Sequence, residues 1–173
     1  MEWSNYTRTN SNKIISVGNN SIGPFYWVGH CMNGVEYYVG QTFTCTANGT
    51  LKRIKLYPSV VYGQTDAHLT LYSFDDRTNA WKEIKAEAKQ HINKSMEGNW
   101  ISFELPAVPV ENGSKLGFKL SSSNGGMLAI AECPWSIINP YVGGEEWIGS
   151  SDSVGGSFHQ DFDLAFEAQI ETE

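Results

Sequence analysis

Basic side chains are scarce in this chain. Twelve Lys and Arg stand against nineteen Asp and Glu, a formal net charge of −7. Nucleic-acid binding depends on Lys and Arg replacing released counterions, and attraction to an anionic membrane surface depends on the same cations. The acidic balance disfavours both. No apolar run approaches the ~20 residues of a membrane-spanning helix, so no membrane insertion is expected. Met1-Glu-Trp-Ser-Asn is polar from the first residue and carries no signal-peptide pattern. Two settings stay open: extracellular or cell-surface if this is a segment trimmed from a longer exported protein, and cytoplasmic.

Cysteine is sparse as well. With only Cys31, Cys45 and Cys133, at least one thiol is unpaired within a monomer. Cys45 shares a face with Phe43 and Ala47 and reads as a small buried thiol. A Cys31–Cys133 pair is compatible with the spacing but not demanded by it.

Catalytic signatures are missing too. Gly149-Ser-Ser-Asp-Ser153 lacks the second glycine of a nucleophile elbow. Gly18-Asn-Asn-Ser-Ile-Gly23 imitates the glycine spacing of a phosphate loop, but Pro24 stands where lysine must reach the phosphates. His30, His68, His91 and His159 are scattered singly, with no Cys-x-x-Cys or His-Glu-x-x-His pairing for a metal. A non-catalytic protein is expected. The rival is a glycan-active enzyme using a carboxylate pair that spacing alone does not reveal.

What the chain does contain is period-two patterning and turn residues. Across Asp161–Ile170, Phe162, Leu164, Phe166, Ala168 and Ile170 alternate with Asp161, Asp163, Ala165, Glu167 and Gln169, the pattern of a half-buried antiparallel strand. Asn99–Leu105 alternates in the same way, with Ile101, Phe103 and Leu105 on one side. Seventeen Gly with six Trp, eight Tyr and eight Phe fit many short strands joined by tight turns. Asn48-Gly49 reads as a two-residue hairpin, and Asn112-Gly113 and Gly125-Gly126 as further turns. Trp81–Met96 would make an amphipathic helix, yet it also alternates, and its neighbours are all short strands; strand is preferred. About ten strands with turns every 8–12 residues predict an all-β, antiparallel jelly-roll β-sandwich of two packed sheets.

A length of 173 residues suits one domain with a core that needs no disulfide staples. Residues 1–24 read as a mobile N-terminal segment followed by an edge strand, and residues 25–173 as the sandwich. Its expected core is Phe43, Ile54, Leu56, Leu69, Leu71, Ile101, Phe103, Leu105, Leu116, Phe118, Phe162, Leu164 and Phe166.

Four stretches together resemble a jelly-roll module of bacterial exported and surface proteins, similar in architecture to carbohydrate-binding modules. They are Gly40-Gln-Thr-Phe-Thr44 with Gly49-Thr-Leu51 and Ile54-Lys-Leu-Tyr57; Trp100-Ile-Ser-Phe-Glu-Leu105 with Val108 and Val110; Asn139-Pro-Tyr-Val-Gly-Gly144; and Asp163-Leu-Ala-Phe166. The resemblance covers about Val39 to Ile170 and implies a sandwich appended to a larger secreted protein. It says little about any ligand, because the shared positions are turns and core.

Two constellations are candidate sites. Trp135, Tyr141 and Trp147 lie in the Gly-rich connection before the last strand, where flat rings stack on sugar C–H faces beside polar groups that bind hydroxyls. Carbohydrate is therefore the expected ligand. Asp161 and Asp163, with Glu145, Glu146 and Asp152 nearby, are the hard oxygen donors that a structural calcium takes, and alternation puts both aspartates on one strand face. A structural or adhesive module contacting other protein domains is the alternative, and an exposed apolar patch would mark it.

Overall fold

Alternation, turn chemistry and edge protection together shape the computed structural model, which describes residues 11–30 and 33–173. Its strands run β1 (Lys13–Asn19), β2 (Phe25–His30), β3 (Glu36–Thr44), β4 (Gly49–Leu56) and β5 (Pro58–Tyr62). They continue with β6 (Thr65–Asp75), β7 (Ala80–Ile92), β8 (Ile101–Val110) and β9 (Lys115–Ser123), then β10 (Met127–Ala131), β11 (Glu146–Ser150), β12 (Ser153–His159) and β13 (Phe166–Thr172). The helical content among the described residues is one 3-10 turn at Lys94–Met96. None of it is long and apolar enough to cross a membrane.

The protein is an antiparallel jelly-roll β-sandwich. One sheet has the order β1-β13-β4-β8, the other β5-β10-β2-β3-β9-β6-β7, with the β11–β12 hairpin joined to β3. Inward side chains of both sheets interdigitate: Leu51, Ile54 and Leu56 of β4, Ile101 and Phe103 of β8, Leu69 and Leu71 of β6, Phe118 and Leu120 of β9. Phe166 is central, with ring centroids 6.1 Å from Phe43, 6.0 Å from Phe118 and 5.2 Å from Tyr141. Every expected core residue is buried except Phe162, which is half-exposed.

Trp81–Met96 resolves as strand up to Ile92. Its Lys and Glu content favours helix, but pairing with β6 from Thr65 to Asp75 supplies a ladder and buries Ala86, Ala88 and Ile92. Tertiary pairing overrides local propensity. The same charges then serve the exposed edge of the sheet, where Lys and Glu discourage a further strand from adding. Pro106 and Pro109 lie in β8, the other sheet's edge, where a missing N–H breaks no interior ladder.

Two sequence expectations need correction. Asn48-Gly49 is not a hairpin: β3 and β4 belong to different sheets, and this turn carries the chain across the sandwich. Gly49 is required there because a Cβ would overlap the Glu171 carbonyl. The closing strand does not begin at Asp161. The chain at 161–165 instead crosses between sheets, with Cys133 N donating to Asp163 O (2.8 Å) and Ala165 N to Ala131 O (2.9 Å), and regular pairing with β4 starts at Phe166. Cys45 and Cys133 are buried free thiols. Cys31 and the N-terminal start read as mobile lie outside the described residues.

Phe166→Ala leaves a cavity ringed by Phe43 and Phe118, and the expected loss is about 3–5 kcal/mol. Equilibrium unfolding in urea measures it; a loss below about 1 kcal/mol would mean that the site collapses without cost.

Candidate functional site

The three candidate aromatic residues occupy three different environments. Trp135 is 74% exposed on the connection after β10. Tyr141 packs edge-on against Phe166 in the core. Its hydroxyl accepts from Thr44 N (3.0 Å), and burial pushes its pKa up to about 12. Trp147, only 5% exposed, lies on the outer face of the larger sheet with Nε1 donating to Gly155 O (3.0 Å). They form no common stacking platform, because the connection folds one ring inward and leaves another outside.

Trp147 belongs to a different assembly. On β11 it packs against Trp81 of β7 at 5.7 Å, and Trp81 stacks on Phe158 of β12 at 5.9 Å. Tyr72 and Phe74 of β6 meet Trp81 edge-on at 5.4 and 5.2 Å. Two strand glycines make room for the rings. A Cβ on Gly117 would stand 2.7 Å from Trp81 Cζ3, and one on Gly40 3.3 Å from Trp147 Cε3. Glycine in a strand interior marks close approach of another group, and that signal was present in the sequence.

Lys119 projects into this cluster, its neighbours Phe118 and Leu120 pointing into the core. Its Nζ lies 4.5 Å from the Trp147 ring centroid, 4.7 Å from Trp81 and 5.4 Å from Tyr72. Burial lowers its pKa. Beside it runs a groove of about 350 Å³, bordered by Tyr38, Tyr72 and Trp147 and by the hydroxyls of Thr70, Ser121 and Ser153. A second depression of about 500 Å³ shares Tyr38 and Ser121 with it and extends toward His30, His68 and Asn124. Tyr38 is set in place by donating to Glu36 Oε2 (2.9 Å). Burial, then the hydrogen bond and charge of Glu36, raise the Tyr38 pKa. Sequence reading missed Tyr38, Tyr72 and Lys119: each sits on an outward position of its own strand, and only the register of β3, β9 and β6 aligns them.

The aspartates proposed for calcium are also separated. Asp161 is exposed, while Asp163 is fully buried. Asp163 Oδ1 accepts from Gln41 Nε2 (2.8 Å) and Oδ2 from Tyr141 N (3.0 Å). With its amide nitrogen turned inward, Asn139 also donates to Oδ2 (3.3 Å). The expected shared face fails because 161–165 is a crossover and not a strand. Among the described residues no three His, Cys, Asp or Glu are grouped to hold a metal ion. Burial raises the Asp163 pKa to about 6 despite these donors.

A carboxylate pair does exist. Glu146 is 1% exposed, and Glu132 is buried beside it. Burial, reinforced by the charge of Glu132 and a hydrogen bond to it, holds Glu146 far above the ordinary carboxylate range. Its Oε2 has no hydrogen-bond partner among the described residues. Neither residue borders the two grooves described above.

Both raised groups link stability to pH in the same direction. Their protonated forms stabilise the native state fully below the unfolded pKa of about 4, and that stability is lost as pH rises through the folded values. Asp163 completes its ionisation over about the first unit above pH 6, and Glu146 continues beyond it. The expected wild-type loss from this group is at most about 1.4 kcal/mol per pH unit, the slope for one proton. Glu146→Gln flattens it. Guanidinium unfolding of both proteins between about pH 6 and 8 reads the difference, from which groups common to the two cancel; parallel slopes would refute the protonated assignment.

No protein-family model and no curated protein matches the chain. It is similar to a solved structure of infectious bursal disease virus, Gx strain, at 9% identity, 94% coverage of this chain, 42% of that chain and a TM-score of 0.34. It is also similar to a mutant VP2 protein of infectious bursal disease virus from derived T=1 particles, at 11% identity, 94% and 40% coverage and a TM-score of 0.28. The chain spans about two fifths of the length of these chains.

Proposed function

We propose that this β-sandwich is a non-catalytic binding module that holds a carbohydrate chain in the outer-face trough of its larger sheet. The supporting observation is that the two depressions adjoin and share Tyr38 and Ser121 as lining residues, room along one face for more than one sugar unit. Tyr38 and Tyr72 offer partly exposed rings beside Thr70, Ser121 and Ser153, the mixture of flat apolar and short polar groups that suits sugar faces and hydroxyls. All stand on strands, so little ordering is needed on binding. Trp147 stays in the site as its floor, while Tyr38 and Tyr72 replace Trp135 and Tyr141 as contact residues. The reading keeps the class of ligand expected from the aromatic residues of the sequence.

One observation favours a second reading, a module that docks on another protein. Trp135, Ile138 and Val142, within eight residues of one connection after β10, are 74, 76 and 87% exposed, and exposed apolar side chains gathered in one place mark contact sites.

A glycan array, run with calcium and with chelator, separates the two. Hits with dissociation constants in the millimolar to micromolar range, or about −4 to −8 kcal/mol, are expected. Tyr38→Ala should weaken them roughly tenfold by loss of a stacking ring, and Trp135→Ala should leave them unchanged. Loss in Trp135→Ala alone would return the site to the connection, and an array without hits would favour protein docking. Release of reducing ends that disappears in Glu146→Gln would reverse the non-catalytic assignment.

A further inference from the structure

Resting on the trough as a glycan site, we propose that the ligand is acidic, with a sugar carboxylate or sulfate seated on the ammonium of Lys119. Lys119 is a half-buried cation in a protein of net charge −7. Among the described residues no carboxylate forms an ion pair with it, and none of its three N–H donors meets an acceptor. The faces of Trp147, Trp81 and Tyr72 hold the charge at 4.5, 4.7 and 5.4 Å. That attraction acts through the ring quadrupoles and consumes no donor. The rings therefore fix the ammonium in a partly desolvated place and leave its hydrogen-bonding capacity to whatever enters the groove.

The acidic side chains around the groove include Glu87, which is in register with Thr70 across β6 and β7 and acts on Tyr72 through its charge, and two that are engaged elsewhere. Glu36 accepts from the Tyr38 hydroxyl (2.9 Å), and Asp152 from Ser150 Oγ (2.6 Å). An anionic oxygen entering the groove gains a charge-assisted bond to Lys119, strengthened by the low local dielectric. Its remaining lone pairs lie within a wall of hydroxyls from Thr70, Ser121 and Ser153. A neutral sugar gains only the hydroxyl contacts and leaves the cation without a counter-ion. Selectivity for one acidic unit within a longer chain follows, because the second depression offers no lysine or arginine.

Isothermal titration with three oligosaccharides of equal length tests this: an oligogalacturonate, a sulfated galactan fragment that carries no carboxylate, and an uncharged galactan. At least one acidic chain should bind about tenfold more tightly than the galactan, the size of one hydrogen bond to a charged group. That preference should shrink as sodium chloride is raised. Lys119→Gln should abolish it, while Lys119→Arg keeps it. Which acidic chain binds distinguishes carboxylate from sulfate recognition. Near-ultraviolet circular dichroism of the Trp81–Trp147 cluster checks that the variants keep their packing. If Lys119→Gln disturbs the cluster, loss of the preference in salt and its survival in Lys119→Arg decide instead. A preference retained in well-folded Lys119→Gln, or equal binding of charged and neutral chains, overturns the inference. Galactan binding that Tyr38→Ala weakens, without any acidic preference, would leave the glycan reading standing alone. No binding by any of the three would bring both down.

Discussion

The buried amide of Gln41 ties together the parts of the molecule that do not follow from strand pairing. Its Nε2 donates to Asp163 Oδ1 (2.8 Å) and Thr42 O (3.1 Å), and its Oε1 accepts from Leu164 N (2.9 Å). Asp163 in turn holds Tyr141 N, so one side chain on β3 fixes both the crossover before β13 and the long connection after β10. An unpaired polar group at this depth would cost about 1–3 kcal/mol, which makes the network nearly all-or-none. The acidic side of it comes at a cost: burial outweighs the donors and leaves Asp163 harder to ionise than a free aspartate.

The outer-face trough depends on the same anchor. Glu146 pairs with Gln41, and its N–H donates to Phe162 O (3.2 Å), so β11 is laid along β3 by the crossover. This placement drops Trp147 onto the bare backbone at Gly40 and brings it within reach of Lys119 and Trp81. The inner face of β11 turns the Glu146 carboxyl away from solvent, and the outer face builds the groove wall. One strand thus supplies a buried carboxyl on one face and a wall of the groove on the other, with opposite demands on solvent met by its two faces.

The core was largely legible in the sequence. Ile54 and Leu56, Ile101 and Phe103, and Leu69 and Leu71 each announce an inward face by alternation alone, and all are buried. Trp81–Met96 was legible as strand only by comparison with its neighbours, since its own composition favours helix. The candidate sites were less legible. Asp161 and Asp163 look equivalent by period, yet a crossover buries one and exposes the other. Trp135, Tyr141 and Trp147 look like one cluster because they are near in sequence, and folding sends them to three environments.

From sequence alone came the all-β class, the two-faced strands and the inward residues, because side-chain direction in a strand is set by local geometry with period two. Tertiary structure alone decided which strands are neighbours, that Asn48-Gly49 crosses the sandwich instead of closing a hairpin, and that Tyr38, Tyr72, Lys119 and Trp147 share one groove. Those outcomes depend on register between segments far apart in the chain. Local periodicity fixes only the parity of the register; it leaves the choice of partner and slips of two residues open, since every antiparallel partner presents the same ladder of N–H and C=O groups.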